Sequence, residues 1–331
     1  MNSEHLENNH HARIISVINM KGGVGKTTLS INIADKLADK GNKVLVIDTD
    51  PQFNATQALL LYTVISQNQT ELAAVENESD ERQDAERKAD LEEKSAKFYN
   101  DLSTDKKTIF QIFGDTPELV DSTKDNNLVY PIKANLDLIP GDLSLASTIS
   151  GDTSGKVSTL EDHIEKYYLD ETYDYIFIDC PPTWSILTHS SLYASDYYLI
   201  PSKLDFYSSL GIELLQDRVS TKILNDSMYR KTQKKLSNLG VIFTLYSGLV
   251  SEQRREQTVE KNFNNDMSFF SDKIPYFKSA STHFILYSQM EQNRKYDSLN
   301  NALDKIVTSI EHKIDQEEQE EKEEQEKKQK K

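Results

Sequence analysis

Apolar positions along this chain follow two rhythms. Short β-branched runs at 13–18 (RIISVI) and 44–47 (VLVI) have little polar alternation, the pattern of strands buried on both faces. Between them a glycine-rich turn leads into an amphipathic helix that runs through Leu37 and Lys40, and Gly41 supplies its stop. Strand, turn, helix and strand within about 35 residues make a βαβ unit, which favours a parallel sheet. Further strands are predicted at Leu136–Ile139, Tyr175–Ile178, Tyr198–Ile200 and Val241–Leu245, with helices at roughly 157–168, 184–194, 208–226 and 251–264. A last helix over about 298–314 puts Leu299, Leu303, Ile306, Ile310 and Ile314 on one face. The fold class is therefore α/β, a mostly parallel twisted sheet flanked by helices, across residues 13–314.

Two stretches break the rhythm. Residues 62–107 form a long insertion after the second strand, and its 71–107 portion holds 12 acidic and 7 basic residues. The centre has no glycine or proline and many strong helix formers, so a charged helix or a disordered loop is expected, both solvated; a docking arm is the sharper alternative. Residues 315–331, with 8 acidic and 5 basic side chains, have no apolar face and are expected to be disordered or a frayed extension of the last helix. Residues 1–12 are expected to be disordered as well.

Composition removes several classes of function. The 331 residues carry a net charge of −16 and are 37% hydrophobic, the deficit lying in those two stretches. One cysteine, Cys180, excludes a disulfide framework and any cysteine-based zinc or iron–sulfur site within one chain. No run approaches the roughly 20 apolar residues of a membrane span, and the polar N-terminus has no apolar signal core, so a cytoplasmic protein is expected. The acidic balance disfavours a constitutive DNA coat while leaving room for a local basic patch.

Candidate chemistry concentrates after the first strand, where Lys21–Thr28 reads KGGVGKTT. The pattern G-x-x-x-x-G-K-[ST] would need glycine at Met20; the loop instead carries a second lysine, Lys21. Gly22, Gly23 and Gly25, with Val24 between them, let successive backbone N–H groups point at phosphate oxygens, and the helix N-terminus adds a favourable dipole. Lys26 is expected to span the β- and γ-phosphates and the Thr27 hydroxyl to bind Mg²⁺. VLVIDTDPQ places Asp48 and Asp50 at the carboxyl end of the second strand, and YIFIDCPP places Asp179 at that of a later one. Ligands of open α/β sheets bind outside those ends, so all three carboxylates can face the phosphates, with Asp179 as the acid that holds the metal through water.

KGGVGKTT, DTDPQFNAT (48–56), YDYIFIDCPP (173–182) and IPSKLDFYSSLG (200–211) occur in the order and spacing of the ParA/Soj/MinD group of deviant Walker A P-loop ATPases. Over about 13–60 and 108–312 the chain most closely resembles ParA-type DNA segregation ATPases. The resemblance implies an Mg²⁺-dependent ATPase that forms a nucleotide-sandwich homodimer. Lys21 would then reach the partner's phosphates, Asp50 would orient the attacking water and join Thr27 and Asp179 at the metal, and Asp48 would be a supporting acid near the metal. Thr28 would contact the α-phosphate, and the loop from Pro201 through Asp205 and Phe206 to Tyr207 would line the adenine pocket. The ATP-bound dimer would bind DNA non-specifically on the nucleoid, and a ParB-like centromere-binding adaptor would stimulate hydrolysis and release.

The chain also departs from that pattern. Phe53 stands where the family usually has glycine, which implies a stiffer or differently packed switch. The first expected DNA-contacting arginine is Leu249; Arg254 and Arg255 are the nearest substitutes, with a solvated helix face as the alternative, and Lys278 replaces the second. An N-terminal helix-turn-helix domain is not expected, nor is a membrane-binding basic terminal helix. Two other functions stay open: a related ATPase that positions a protein cargo, and a nucleotide-gated interaction protein acting through the insertion.

Overall fold

The computed structural model describes residues 11–67, 81–114, 128–148, 155–263, 267–278, 286–291 and 293–329, with only the backbone at 81–88, 148 and 329. The expectation for residues 1–12 falls almost wholly outside these, as does the 68–80 part of the insertion. Among the described residues the core is a seven-stranded sheet in the order β3-β4-β2-β5-β1-β6-β7. Its strands are β1 (Arg13–Val17), β2 (Val44–Asp48), β3 (Tyr130–Lys133), β4 (Leu136–Ile139), β5 (Tyr175–Asp179), β6 (Tyr197–Ser202) and β7 (Ser237–Phe243). Every pairing is parallel except β3 with β4.

The two-residue alternation of a strand explains why both faces are covered. Ile15 and Val17 of β1, Val44 and Val46 of β2, and Tyr175 and Phe177 of β5 enter one core. That core takes apolar faces from α1 (Lys26–Asp39), α2 (Asn54–Gln67) and α8 (Asp297–Gln329). Ile14, Leu45, Ile47, Ile176 and Ile178 enter the other, with α4 (Thr159–Lys166), α5 (Ile186–Tyr193), α6 (Ser208–Val219) and α7 (Val250–Asn262). Leu299, Leu303, Ile306, Ile310 and Ile314 of α8 are all fully buried or nearly so, as their spacing predicts. Each such side chain stabilises the fold by about 1.5–3 kcal/mol.

Several boundaries differ from the sequence expectations. β3 has no apolar rhythm and contains Pro131; it is an antiparallel edge strand, where a missing N–H is readily tolerated. The helix expected at 208–226 is α6 continued by a π-helical turn, Ser220–Leu224. β7 ends at Phe243, and Leu245, expected in the strand, adopts φ 54° beyond it. No described helix is long and apolar enough to cross a membrane.

The two charged stretches are more ordered than a solvated run requires. α3 (Glu81–Thr104) packs on α2, burying Ser95 and Leu102 and setting Phe98 edge-on to Tyr130 at 5.1 Å. α8 runs on to Gln329, and its first turns beyond Ile314 are docked on the sheet. Arg13 donates from Nε and Nη2 to the two oxygens of Glu318 at 2.8 and 3.0 Å, from Nη2 to Asp315 at 2.7 Å, and from Nη1 to the Tyr175 hydroxyl at 2.8 Å. Lys235 reaches Glu321 at 2.8 Å. The hydrogen bond to Glu318 is the main reason why the guanidinium pKa is raised further. Glu318→Ala is expected to lower unfolding free energy by about 1–2 kcal/mol, through loss of a two-pronged charged contact. Exposed Glu320→Ala is expected to change it by less than about 0.5 kcal/mol. Urea unfolding at constant m-value compares the two, and equal effects would mean that this stretch is not docked.

Candidate active site

The loop between β1 and α1 is shaped by its anchors. Asn19, fully buried, donates from Nδ2 to the Pro201 carbonyl at 2.7 Å and accepts from the Lys21 N–H at 3.0 Å, joining the loop to the end of β6. Thr244 donates to the Val24 carbonyl at 2.7 Å from the end of β7. Gly23 and Gly25 take φ 68° and 79°, in the left-handed region that a β-carbon disfavours. Space is open where a β-carbon on Gly22 or Gly23 would stand. The N–H groups of Gly22 through Thr28 donate to none of the described residues. The loop is thus a row of backbone donors at a helix N-terminus with room above it, the arrangement that binds phosphate.

Register brings the charged side chains to the same edge. Val17, Asp48 and Asp179 are aligned across β1, β5 and β2. Lys26 is only 7% exposed, and its ammonium donates to the Lys21 carbonyl at 3.2 Å. Burial lowers its pKa against the opposing pull of Asp179 and Asp50. Thr27 donates to Asp179 Oδ2 at 2.7 Å and Ser30 to Oδ1 at 3.0 Å. Asp179 is fully buried, and burial pushes its carboxyl up to about 6 despite the Thr27 bond and the Lys26 charge.

Asp48 is engaged within its own turn. Its carboxylate accepts from the Thr56 N–H and hydroxyl, both at 2.8 Å, and from the Asp50 N–H at 3.2 Å. Burial first, and then Asp179, raises its pKa well above the ordinary range. Asp48 therefore ties the turn that carries Asp50. Asp50, 6% exposed, accepts from the Gln52 N–H at 2.9 Å and acts electrostatically on both Lys26 and Asp179. No described group of three His, Cys, Asp or Glu side chains suits a metal. One hydroxyl and one carboxylate, Thr27 and Asp179, remain as a hard oxygen pair that fits Mg²⁺ when phosphates and water complete its shell.

The remaining candidates flank the loop. Pro201 belongs to β6 rather than to the loop after it. Lys21 forms an ion pair with Asp205 of its own chain. Against the upward push of burial, that ammonium holds the Asp205 carboxyl below its ordinary range. Phe206 and Tyr207 are 79% and 61% exposed, with their rings edge-on at 5.0 Å. Arg254 and Arg255 share a groove with Asp205, Phe206, Tyr207 and Leu210, so they border the side on which Asp205 meets Lys21. Lys278 is exposed and does not line that groove, and Leu249 is 58% exposed. Thr28 lies in the first turn of α1. Sequence reasoning missed Asn19 and Thr244, small polar residues just beyond strand ends, and Ser30 and Thr56, small hydroxyl residues within α1 and α2.

Comparison with known proteins agrees with this geometry. A family model described as an AAA domain matches residues 12–235. The sporulation initiation inhibitor protein Soj of Bacillus subtilis is 30% identical over 240 residues, covering 69% of this chain and 76% of Soj. The chromosome partitioning protein ParA of Caulobacter vibrioides is 26% identical over 264 residues, covering 79% and 78%. Two solved structures share the fold. Apo McdA of Cyanothece has a TM-score of 0.63 at 20% identity, over 91% of this chain and 100% of that one. A putative plasmid partition protein from Borrelia burgdorferi B31 bound to AMPPNP has a TM-score of 0.59 at 23% identity, over 90% and 99%. From the open glycine loop with its buried Lys26, and from the match to Soj, the chain belongs to the ParA/Soj family of P-loop ATPases.

Proposed function

We propose that this protein is an Mg²⁺-dependent partition ATPase whose ATP-bound homodimer binds DNA non-specifically and is opened by hydrolysis that a ParB-like adaptor stimulates. The observation that carries the ATPase reading is the buried Lys26 ammonium beside the Thr27–Asp179 pair, under a loop of unpaired N–H groups. Bound Mg·ATP would supply the phosphoanhydride to be cleaved and the cation that offsets its charge. Lys26 and the N–H groups of 22–28 hold phosphate oxygens, and Thr27 and Asp179 hold the metal. Asp50 orients water, fixed in its turn by Asp48.

Dimerisation is supported by apolar side chains left exposed beside the loop: Phe206, Tyr207, Leu210 and Leu214. Lys21 lies at the same border, and in the dimer it would exchange Asp205 for the partner's phosphates, offsetting the repulsion between two facing nucleotides. The relatives' names support segregation of chromosomal or plasmid DNA as the task. Arg254 and Arg255, on the nucleotide-side groove, are the candidate phosphate-backbone contacts.

Lys26→Ala is expected to abolish nucleotide binding. Asp50→Ala is expected to bind ATP and dimerise while hydrolysing at least about 100-fold more slowly. Turnover of Asp50→Ala at the parent rate would remove its assigned role.

A second expectation concerns pH. Because folding raises the Asp179 pKa to about 6, the folded chain binds a proton there that the unfolded chain has released, so this group contributes less stability at pH 7 than below pH 5. The same proton competes with the metal. Affinity for a fluorescent ATP analogue in Mg²⁺ is expected to be flat from pH 7 to 8 and to fall up to about tenfold per unit below 6. Asp179→Asn should be weak and flat throughout; a pH dependence unchanged in that variant would move the titrating group elsewhere.

Binding to a random-sequence DNA duplex, without nucleotide, with ADP and with Mg·ATP across salt, tests the task. ATP-selective binding that weakens steeply with salt is expected. A chain that dimerises with ATP yet binds no DNA in any state would instead travel on a protein scaffold.

A further inference from the structure

The turn that carries Asp50 is held from outside the nucleotide site. Phe53 has φ 41°, a left-handed conformation that persists in a residue with a β-carbon only when its surroundings enforce it. Its N–H donates to the Asp50 carbonyl at 2.8 Å, and its own carbonyl accepts from Gln57 at 3.0 Å to begin α2. Its ring stacks on Tyr99 of the inserted helix, with centroids 4.5 Å apart and planes within 9°. Gly141 lies close by: a β-carbon there would come within 2.9 Å of the Phe53 β-carbon and 3.0 Å of the Asp48 carboxyl carbon. The turn fits only because position 141 has no side chain.

Tyr99 is itself fixed. α3 is anchored through buried Ser95 and Leu102, and the Tyr99 hydroxyl accepts from the Leu143 N–H at 3.4 Å. A second route leaves the end of the insertion. Thr108 donates to Asp142 at 2.6 Å; the adjacent Gly141 N–H donates to the Thr56 hydroxyl at 2.7 Å; Thr56 donates to Asp48, which accepts from the Asp50 N–H. Stack and hydrogen-bond chain converge on the same four-residue turn.

We infer that Tyr99 and Phe53 are positioning residues for ATP hydrolysis: the inserted helix, by stacking Tyr99 on Phe53, holds the Asp50 turn in one conformation. The inference rests on the role proposed above for Asp50. Without the stack, Phe53 relaxes out of the left-handed region, the peptide bonded to Asp50 turns with it, and the carboxylate is no longer fixed relative to the attacking water. Ground-state binding by the 22–28 loop does not involve this turn, so the loss falls on kcat rather than KM.

The test uses the full chain with Tyr99→Ala, Tyr99→Phe, Phe53→Gly and the Phe53→Gly/Tyr99→Ala double variant. Hydrogen exchange at residues 50–57 is measured without nucleotide, and ATPase kinetics separately. Tyr99→Ala is expected to lower kcat about five- to twentyfold, to leave KM within about twofold, and to speed exchange at Phe53. Tyr99→Phe keeps the stacking face and both parent properties. In the Phe53→Gly background, Tyr99→Ala should have no further effect on kcat, because the contact is already gone.

If Tyr99→Ala does not fold, Tyr99→Leu keeps apolar volume without a stacking face and replaces it in every comparison. A kcat within twofold of the parent or above it, an equal loss in Tyr99→Phe, or an undiminished loss in the Phe53→Gly background overturns the inference. Failure of the underlying role is distinguishable. Asp50→Ala turning over at the parent rate strikes that role directly, whereas unchanged exchange in Tyr99→Ala strikes the stack without reference to activity.

Discussion

One buried carboxylate organises the site. Asp179 sits at the carboxyl end of a central strand with no exposed surface, where an unpaired charge would be prohibitive. Two hydroxyls from successive turns of α1, those of Thr27 and Ser30, satisfy its two oxygens. From the β2 side, the Thr49 hydroxyl donates to its carbonyl at 2.8 Å. These contacts fix the helix to the strand and the end of β2 to both. The glycine loop then has no freedom to wander from the carboxylate, because its far end is the helix that the carboxylate holds. The proposed phosphate donors and metal ligands are placed by the same few bonds.

Much of this was legible in the chain. The strands are apolar on both faces because helices cover both, and that doubling made β1, β2 and β5 readable as nearly continuous runs. The glycine loop was legible because its chemistry demands residue types in fixed order. What escaped has physical reasons. Asp48 and Asp50 are two residues apart, and spacing alone cannot say that one carboxylate will be spent on Thr56 while the other points elsewhere. β3 is an edge strand, held by one neighbour, so it needs no apolar rhythm. Anchors such as Asn19 and Thr244 act through a few hydrogen bonds to backbone groups distant in sequence, which no periodicity marks.

The charged stretches show a different limit. In α3 the apolar contribution comes from Ser95, Phe98, Tyr99 and Leu102, a stripe of one or two residues per turn inside a run of charges. Average charge hid it, although the spacing of three and four was present. In α8 the docking beyond Ile314 is electrostatic, made by Arg13 from β1 and Lys235 from the segment that precedes β7. A tail with no apolar face is ordered by its partners, which lie some 300 and 80 residues away in sequence (|i−j| 305 and 86).

The buried ammonium of Lys26 has one more consequence. In water a lysine must shed its hydration before it can grip an anion, and that dehydration opposes binding. Here folding has already removed most of that water and supplied the Lys21 carbonyl and the field of Asp179 and Asp50 in its place. Burial outweighs the pull of the two carboxylates on that ammonium. In the proposed function a polyphosphate would act as a missing piece of the interior, and occupancy and conformational integrity would be one equilibrium, with the nucleotide-bound form the more stable.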